Sequence, residues 1–145
     1  MRALSCLVIV CAAGCGDDQA PEEAAALLAR IRADDYRAWA RAPGYETRRS
    51  SSSPHSEAVD IYIDPTIAGA LTAESLEEWP LGSLIVKDGF DGNDLELIAV
   101  MEKREDGWFW AEYFDGESKF SGKPDVCLDC HDAGNDYVLA FDLPR

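Results

Sequence analysis

The chain of 145 residues has room for one domain with a modest core, and not for two ordinary ones. Apolar residues make up 47% and charged residues 28%, the balance of a globular protein and not of a disordered one. Thirteen Lys and Arg against 28 Asp and Glu give a formal charge of −15. Such a surface repels phosphate backbones and anionic headgroups, which argues against nucleic-acid binding and suits a cationic redox partner.

In chain order, Met1-Arg2 supplies one positive charge, and Ala3 to Ala13 is almost wholly apolar. As a helix that run covers about 16 Å, roughly half of a hydrocarbon core ~30 Å thick, so it is too short to span. Residues 1–14 therefore read as an export signal, with small residues Ala12-Ala13-Gly14 directly before Cys15. This arrangement resembles the lipobox of bacterial lipoproteins, although Ala12 stands where Leu is usual. The resemblance implies cleavage before Cys15 and a lipid anchor on its thiol, with no other membrane contact. It places the protein on the periplasmic side of a bacterial membrane. Cys11 fits less well, because bulky Val10 precedes it. An ordinary cleaved signal with incidental cysteines is the competing reading. Loss of residues 1–14 removes Arg2 and no acid, leaving a charge of −16. Cys6 and Cys11 leave with the signal, so Cys127 and Cys130 are the two usable thiols.

Residues 15–21 read as a polar tether, and 22–145 as the domain. Pro21 opens a helical segment with Glu22 and Glu23 in its first turn and Leu27, Leu28 and Ile31 on one face. The apolar side continues through Tyr36 and Trp39, and Pro43-Gly44 is the expected end. Arg48 to Pro54, with Ser50 to Ser53, is a loop by composition. Val59, Ile61 and Ile63 form a strand. Asp64-Pro65 then reads as an N-cap with proline in the first turn of a short helix, Thr66 to Leu71. Thr72 to Trp79 is expected to add a second helical turn, stopped by Pro80. Ser83 to Lys87, Leu95 to Met101, Trp108 to Phe114 and Asp136 to Phe141 are expected strands. The expected turns fall at Asp88-Gly89, Asp91-Gly92 and Asp106-Gly107. The fold class is α+β, an N-terminal helix followed by an antiparallel sheet.

Cys127-Leu128-Asp129-Cys130-His131 is C-x-x-C-H, the attachment motif for c-type haem. Each thiol can form a thioether with one haem vinyl group, and the adjacent His131 is then delivered to the iron as a near-intramolecular ligand. Export agrees with this reading, because attachment takes place outside the bacterial cytoplasm. Three other readings are weaker. A thioredoxin-like dithiol belongs at a helix start early in a βαβ unit. A zinc site needs four ligands, and the chain has two histidines and two usable cysteines. A disulfide between Cys127 and Cys130 would close a strained ring.

Gly107-Trp108-Phe109-Trp110, Glu112-Tyr113, Gly122-Lys123, the C-x-x-C-H and Asp136-Tyr137-Val138 together resemble the cytochrome P-460 family. Ala42-Pro43-Gly44, Pro54-His55, Ile61-Tyr62-Ile63, the run from Trp79 to Lys87 and Val100-Met101-Glu102-Lys103 fit the same pattern, so the likeness extends over residues 22–142. It implies a mostly β, often dimeric haem c protein with His131 on one side of the iron and an open site opposite. Some members oxidise hydroxylamine with a haem cross-linked to a lysine. Others, the c-prime-beta group, lack the cross-link and bind nitric oxide or carbon monoxide in an apolar pocket. The resemblance places the cross-linking lysine near the strand Val59 to Ile63, upstream of Lys87. That strand has no lysine, which favours the uncross-linked group.

Met101 offers a thioether sulfur as a sixth ligand, but it ends an apolar strand and reads as core filler. His55 reads as a loop histidine with local polar contacts, and otherwise as a distal ligand or donor. Trp108, Phe109, Trp110, Tyr113 and Phe114 alternate between both sheet faces, some toward haem. Asp129 and Asp132 read as solvated acids. Two functions follow. The first is a module that binds a small gas or carries electrons; the second is an oxidoreductase acting on hydroxylamine or a related nitrogen compound, which also needs a proton acceptor beside the iron.

Overall fold

The structure, a computed structural model, describes residues 17–145; the expected signal and Cys15 lie outside the described residues. Among the described residues no helix is long and apolar enough to cross a membrane. The expected tether is docked from Asp17 onward. Gln19 N–H donates to Ser121 O at 3.0 Å, and Ser121 N–H donates to Asp17 O at 3.0 Å.

Helix α1, Pro21–Ala33, carries Glu22 and Glu23 at its positive end and Arg30 and Arg32 in its last turn, both favourable to the helix dipole. Ala24, Leu27, Leu28 and Ile31 recur at helical spacing and are buried. The helix stops well short of Pro43-Gly44. Asp35 is left-handed, with φ 47°, and a right-handed helix cannot pass through it. A single 3₁₀ turn, Tyr36–Ala38, follows. Its direction is fixed from the sheet: Tyr36 Oη and Arg37 Nε donate to the two carboxylate oxygens of Asp88 at 2.8 and 2.7 Å.

The strands are β1 (Ala40–Arg41), β2 (Arg49–Ser50), β3 (Ala58–Ile63), β4 (Leu84–Asp91), β5 (Asp94–Arg104), β6 (Gly107–Phe114) and β7 (Glu117–Gly122). They form one antiparallel sheet ordered β1-β3-β4-β5-β6-β7, with β2 also on β3. The α+β class expected from the sequence is the observed one. Strand β2 falls inside the serine-rich segment read as loop. Helix α2, Pro65–Ala70, begins as expected: Asp64 caps it, accepting from Thr66 N–H and Ile67 N–H.

Three further expectations fail, each for a tertiary reason. Thr72 to Trp79 forms no helix; Leu76 N–H instead donates to Pro144 O at 3.1 Å, tying the segment to the C-terminal tail. Asp88-Gly89 is not a turn but mid-strand, because Asp88 holds Tyr36 and Arg37. At Gly89 a Cβ would lie 2.7 Å from Ser56 Oγ and 2.9 Å from His55 O. Glycine there lets the His55 loop lie directly on the sheet. Asp136 to Phe141 is not a strand. Asp136 and Tyr137 have φ of 48° and 64° and form a tight turn closed by a bridge between Asn135 and Val138.

Both faces of the sheet are covered. Helix α1 packs on the face carrying Tyr62, Val86, Val100, Phe109 and Tyr113. The opposite face carries Ile61, Ile63, Ile85, Met101 and Trp110, and is roofed by α2 and the C-terminal Val138, Phe141 and Leu143. The candidate site lies on this second face.

Candidate functional site

Helix α3, Asp125–His131, carries the cysteine–histidine motif, which the sequence had not placed on an element. At 100° per residue, positions 127, 130 and 131 fall within an arc of about 100°, so both sulfurs and the imidazole share one side of the helix. Cys127 is half-buried, Cys130 exposed and His131 buried, and both thiols are free. Burial, reinforced by the charges of Glu112 and Asp17, pushes the Cys127 thiol up to about 11. It is therefore a protonated thiol at neutral pH, the opposite of the low-pKa cysteine of a dithiol oxidoreductase.

The His131 ring is oriented by its backbone neighbour. Its Nδ1 lies 2.9 Å from Tyr137 O. A carbonyl can only accept, so Nδ1 carries the proton and Nε2 is left with a free lone pair. Burial holds the imidazole below its ordinary pKa, which keeps it neutral. A carbonyl on one ring nitrogen and a lone pair on the other is the arrangement of a metal-ligating histidine. The ring also meets Trp110, with centroids 4.5 Å apart and planes at 65°.

In front of α3 lies a cavity of about 470 Å³, within the usual range for small-molecule sites. Strand register explains its shape. One row across the sheet runs Ile61, Lys87, Ala99, Glu112 and Phe120; the next runs Ile63, Ile85, Met101, Trp110 and Gly122. Ala99 is the small residue between longer side chains, and the hollow opens over it. Cys127, Cys130 and His131 border this cavity. A second hollow of about 280 Å³, bordered by Ser50 to Ser53 and Leu139, shares His55, Lys87 and His131 with the first.

His55 is in the site; its backbone N–H makes a local contact, donating to Ser53 Oγ at 3.4 Å, but its ring does not. Its ring meets that of His131 at 6.4 Å, and its Nδ1, buried and without a hydrogen-bond partner, is 3.7 Å from Glu112 Oε2. Burial, then the charges of Lys87 and His131, pushes it down to about 3. Met101 is 8% exposed; it fills core as expected and also borders the cavity. Trp110 and Phe114 border it too, whereas Trp108, Phe109 and Tyr113 do not. Asp129 and Asp132 are exposed.

Lys87 and Glu112 are the site residues that the sequence left out. Lys87 is the register partner of Ile61, so the strand without a lysine has one directly beside it. Burial lowers the Lys87 ammonium and raises the Glu112 carboxyl, each partly offset by the other's charge. Alternation could have placed both with Ile85 and Trp110 had the sheet register been known.

The residues present fit a flat apolar group with a metal centre. Two thiols and an imidazole share one helix face over a mainly apolar cavity. His55 Nδ1 and Trp110 Nε1, both on cavity-lining residues, are buried without a partner. Among the described residues no three His, Cys, Asp or Glu side chains converge to hold a bare metal ion. The chain matches no protein-family model and no curated protein.

Proposed function

We propose that this is an exported haem c protein of the cytochrome P-460 type, which binds small neutral diatomic ligands such as nitric oxide or carries electrons. Cys127 and Cys130 would hold the group through thioethers to its vinyl substituents, and His131 Nε2 would be a ligand to its iron. The observation that carries this reading is the His131 ring, held by the Tyr137 carbonyl with Nε2 free beside two thiols on the same helix face. The bound group supplies ligand-binding and one-electron chemistry at iron. The chain's residues would hold it and exclude water with the apolar row Ile85, Met101 and Trp110. A pocket so poor in polar surface favours neutral ligands over charged ones. The reduced protein is therefore expected to change its spectrum on addition of carbon monoxide. Sharp low-spin bands indifferent to carbon monoxide would mean that Met101 or His55 is bound, and that the protein is a plain electron carrier.

One observation favours the alternative, oxidation of hydroxylamine or a related nitrogen compound. Lys87 and Glu112 both border the cavity, and burial makes the Glu112 carboxylate a better proton acceptor than a solvated one. A red-shifted band, haem retained on the Lys87 peptide and hydroxylamine turnover would select this function. An ordinary haem c spectrum without turnover selects the first.

The same proposal places the protein on the periplasmic side of the membrane, anchored through Cys15. Intact mass of the membrane fraction is expected to show a diacyl or triacyl chain beginning at Cys15. A soluble product cleaved elsewhere would refute the anchor.

A further inference from the structure

The turn that presents the Tyr137 carbonyl to His131 is built against local preference. Asn135 and Val138 exchange backbone hydrogen bonds at 3.1 and 3.2 Å, and both residues between them have positive φ. Asn-Gly is the usual occupant of such a two-residue loop. Here it is Asp136-Tyr137, and a bulky residue at φ 64° is held only where its surroundings enforce it.

Those surroundings converge on Asp136. Lys103 Nζ donates to both of its carboxylate oxygens at 2.8 Å, and Trp79 N–H donates to Oδ2 at 2.8 Å. Trp108 Nε1 donates to its backbone carbonyl at 2.8 Å. Lys103 is only 8% exposed, an expensive place for a cation on a core strand unless its partner matters. Burial alone would lower the Lys103 ammonium, but Asp136 and Glu78 outweigh it and hold it raised. None of these four side chains borders the cavity.

We propose that Asp136 is a positioning residue for the axial histidine: clamped by Lys103, Trp79 and Trp108, it holds the strained turn that aims the Tyr137 carbonyl at His131 Nδ1. This rests on the haem reading above. A firm Nδ1–H···O=C bond makes the imidazole a stronger ligand. The clamp thus acts on the iron through two bonds without touching it.

The test compares haem-loaded wild type with Asp136→Ala, reading the ferrous iron–histidine stretch by resonance Raman and the reduction potential. The expected result is a lower stretching frequency and a higher potential, with haem staining on a denaturing gel unchanged. The double variant Asp136→Asn with Tyr137→Gly, which installs the favoured turn while removing the carboxylate charge that Lys103 grips, should restore the frequency. An unchanged frequency in Asp136→Ala would overturn the proposal. So would failure of the double variant to restore it, since the carboxylate charge and not the turn would then be responsible. If Asp136→Ala does not fold, Trp108→Phe removes one clamp bond with packing largely kept, and is read the same way. Absence of stained haem from wild type would refute the haem reading instead. The clamp would then be read in the unloaded chain by ¹⁵N NMR: His131 should be the Nδ1–H tautomer in wild type and lose that preference in Asp136→Ala. Equal tautomer populations in the two would overturn it.

Discussion

Alanine at both Cys127 and Cys130 is expected to abolish haem staining of the denatured polypeptide produced with a cytochrome c maturation system. The loss should be complete, because no other described cysteine exists to form a thioether. His131→Ala is the informative contrast. It keeps both sulfurs, so staining should persist while the spectrum loses its histidine signature. The geometry makes these effects separable: the thiols and the imidazole share a face of α3, but only His131 is buried and bound to the Tyr137 carbonyl. Wild-type haem that passes into acidified organic solvent would refute covalent attachment.

Asp64→Ala is expected to be the most damaging single change away from the cavity. Asp64 is 6% exposed. Its carboxylate accepts from Thr66 N–H at 3.2 Å, and from Ile67 N–H and Leu84 N–H at 3.1 Å each. It thus caps α2 and pins the start of β4 with one group. Alanine would strand these backbone donors, two of them buried, for which a loss of about 3 kcal/mol is expected. Urea denaturation reads it directly as a lower midpoint. Asn, which keeps one acceptor oxygen, should recover part of the loss. An unfolding free energy within about 0.5 kcal/mol of wild type, the range of ordinary surface changes, would contradict the bonding described.

The same residue shows why some of the molecule was legible in the sequence. An acid before proline and a short apolar run fixes a helix start from neighbours alone. The Asp91-Gly92 and Asp106-Gly107 turns are of that kind, and so is the motif at 127–131. What was misread depended on distant partners. Asp88-Gly89 has turn composition, yet Tyr36 and Arg37 hold the acid, and the glycine admits the backbone of a loop more than thirty residues earlier in the chain. Asp136-Tyr137-Val138 has the alternation of a strand, and is bent by a lysine on β5. Strand β7, with neither Val nor Ile, gave no signal of its own and is held by pairing with β6. The site divides in the same way. Cys127, Cys130 and His131 were legible because they are contiguous, whereas Lys87, Glu112 and His55 converge only through register and a loop laid over Gly89.

The order of elements along the chain also bears on how the protein matures. Strands β3 to β7 pair with their sequence neighbours as a meander, and each is complete before α3 begins. Contacts of that range form quickly. The cavity floor can therefore be laid down while the cysteine helix is still an accessible tail. Attachment would then close the last piece over a seat already shaped, with the turn at Asp136-Tyr137 acting as the catch. A motif placed at the front of the chain would have to be modified before any wall existed to receive its cargo. Here assembly can proceed from seat to clasp, and a failed attachment would leave an open but folded vessel.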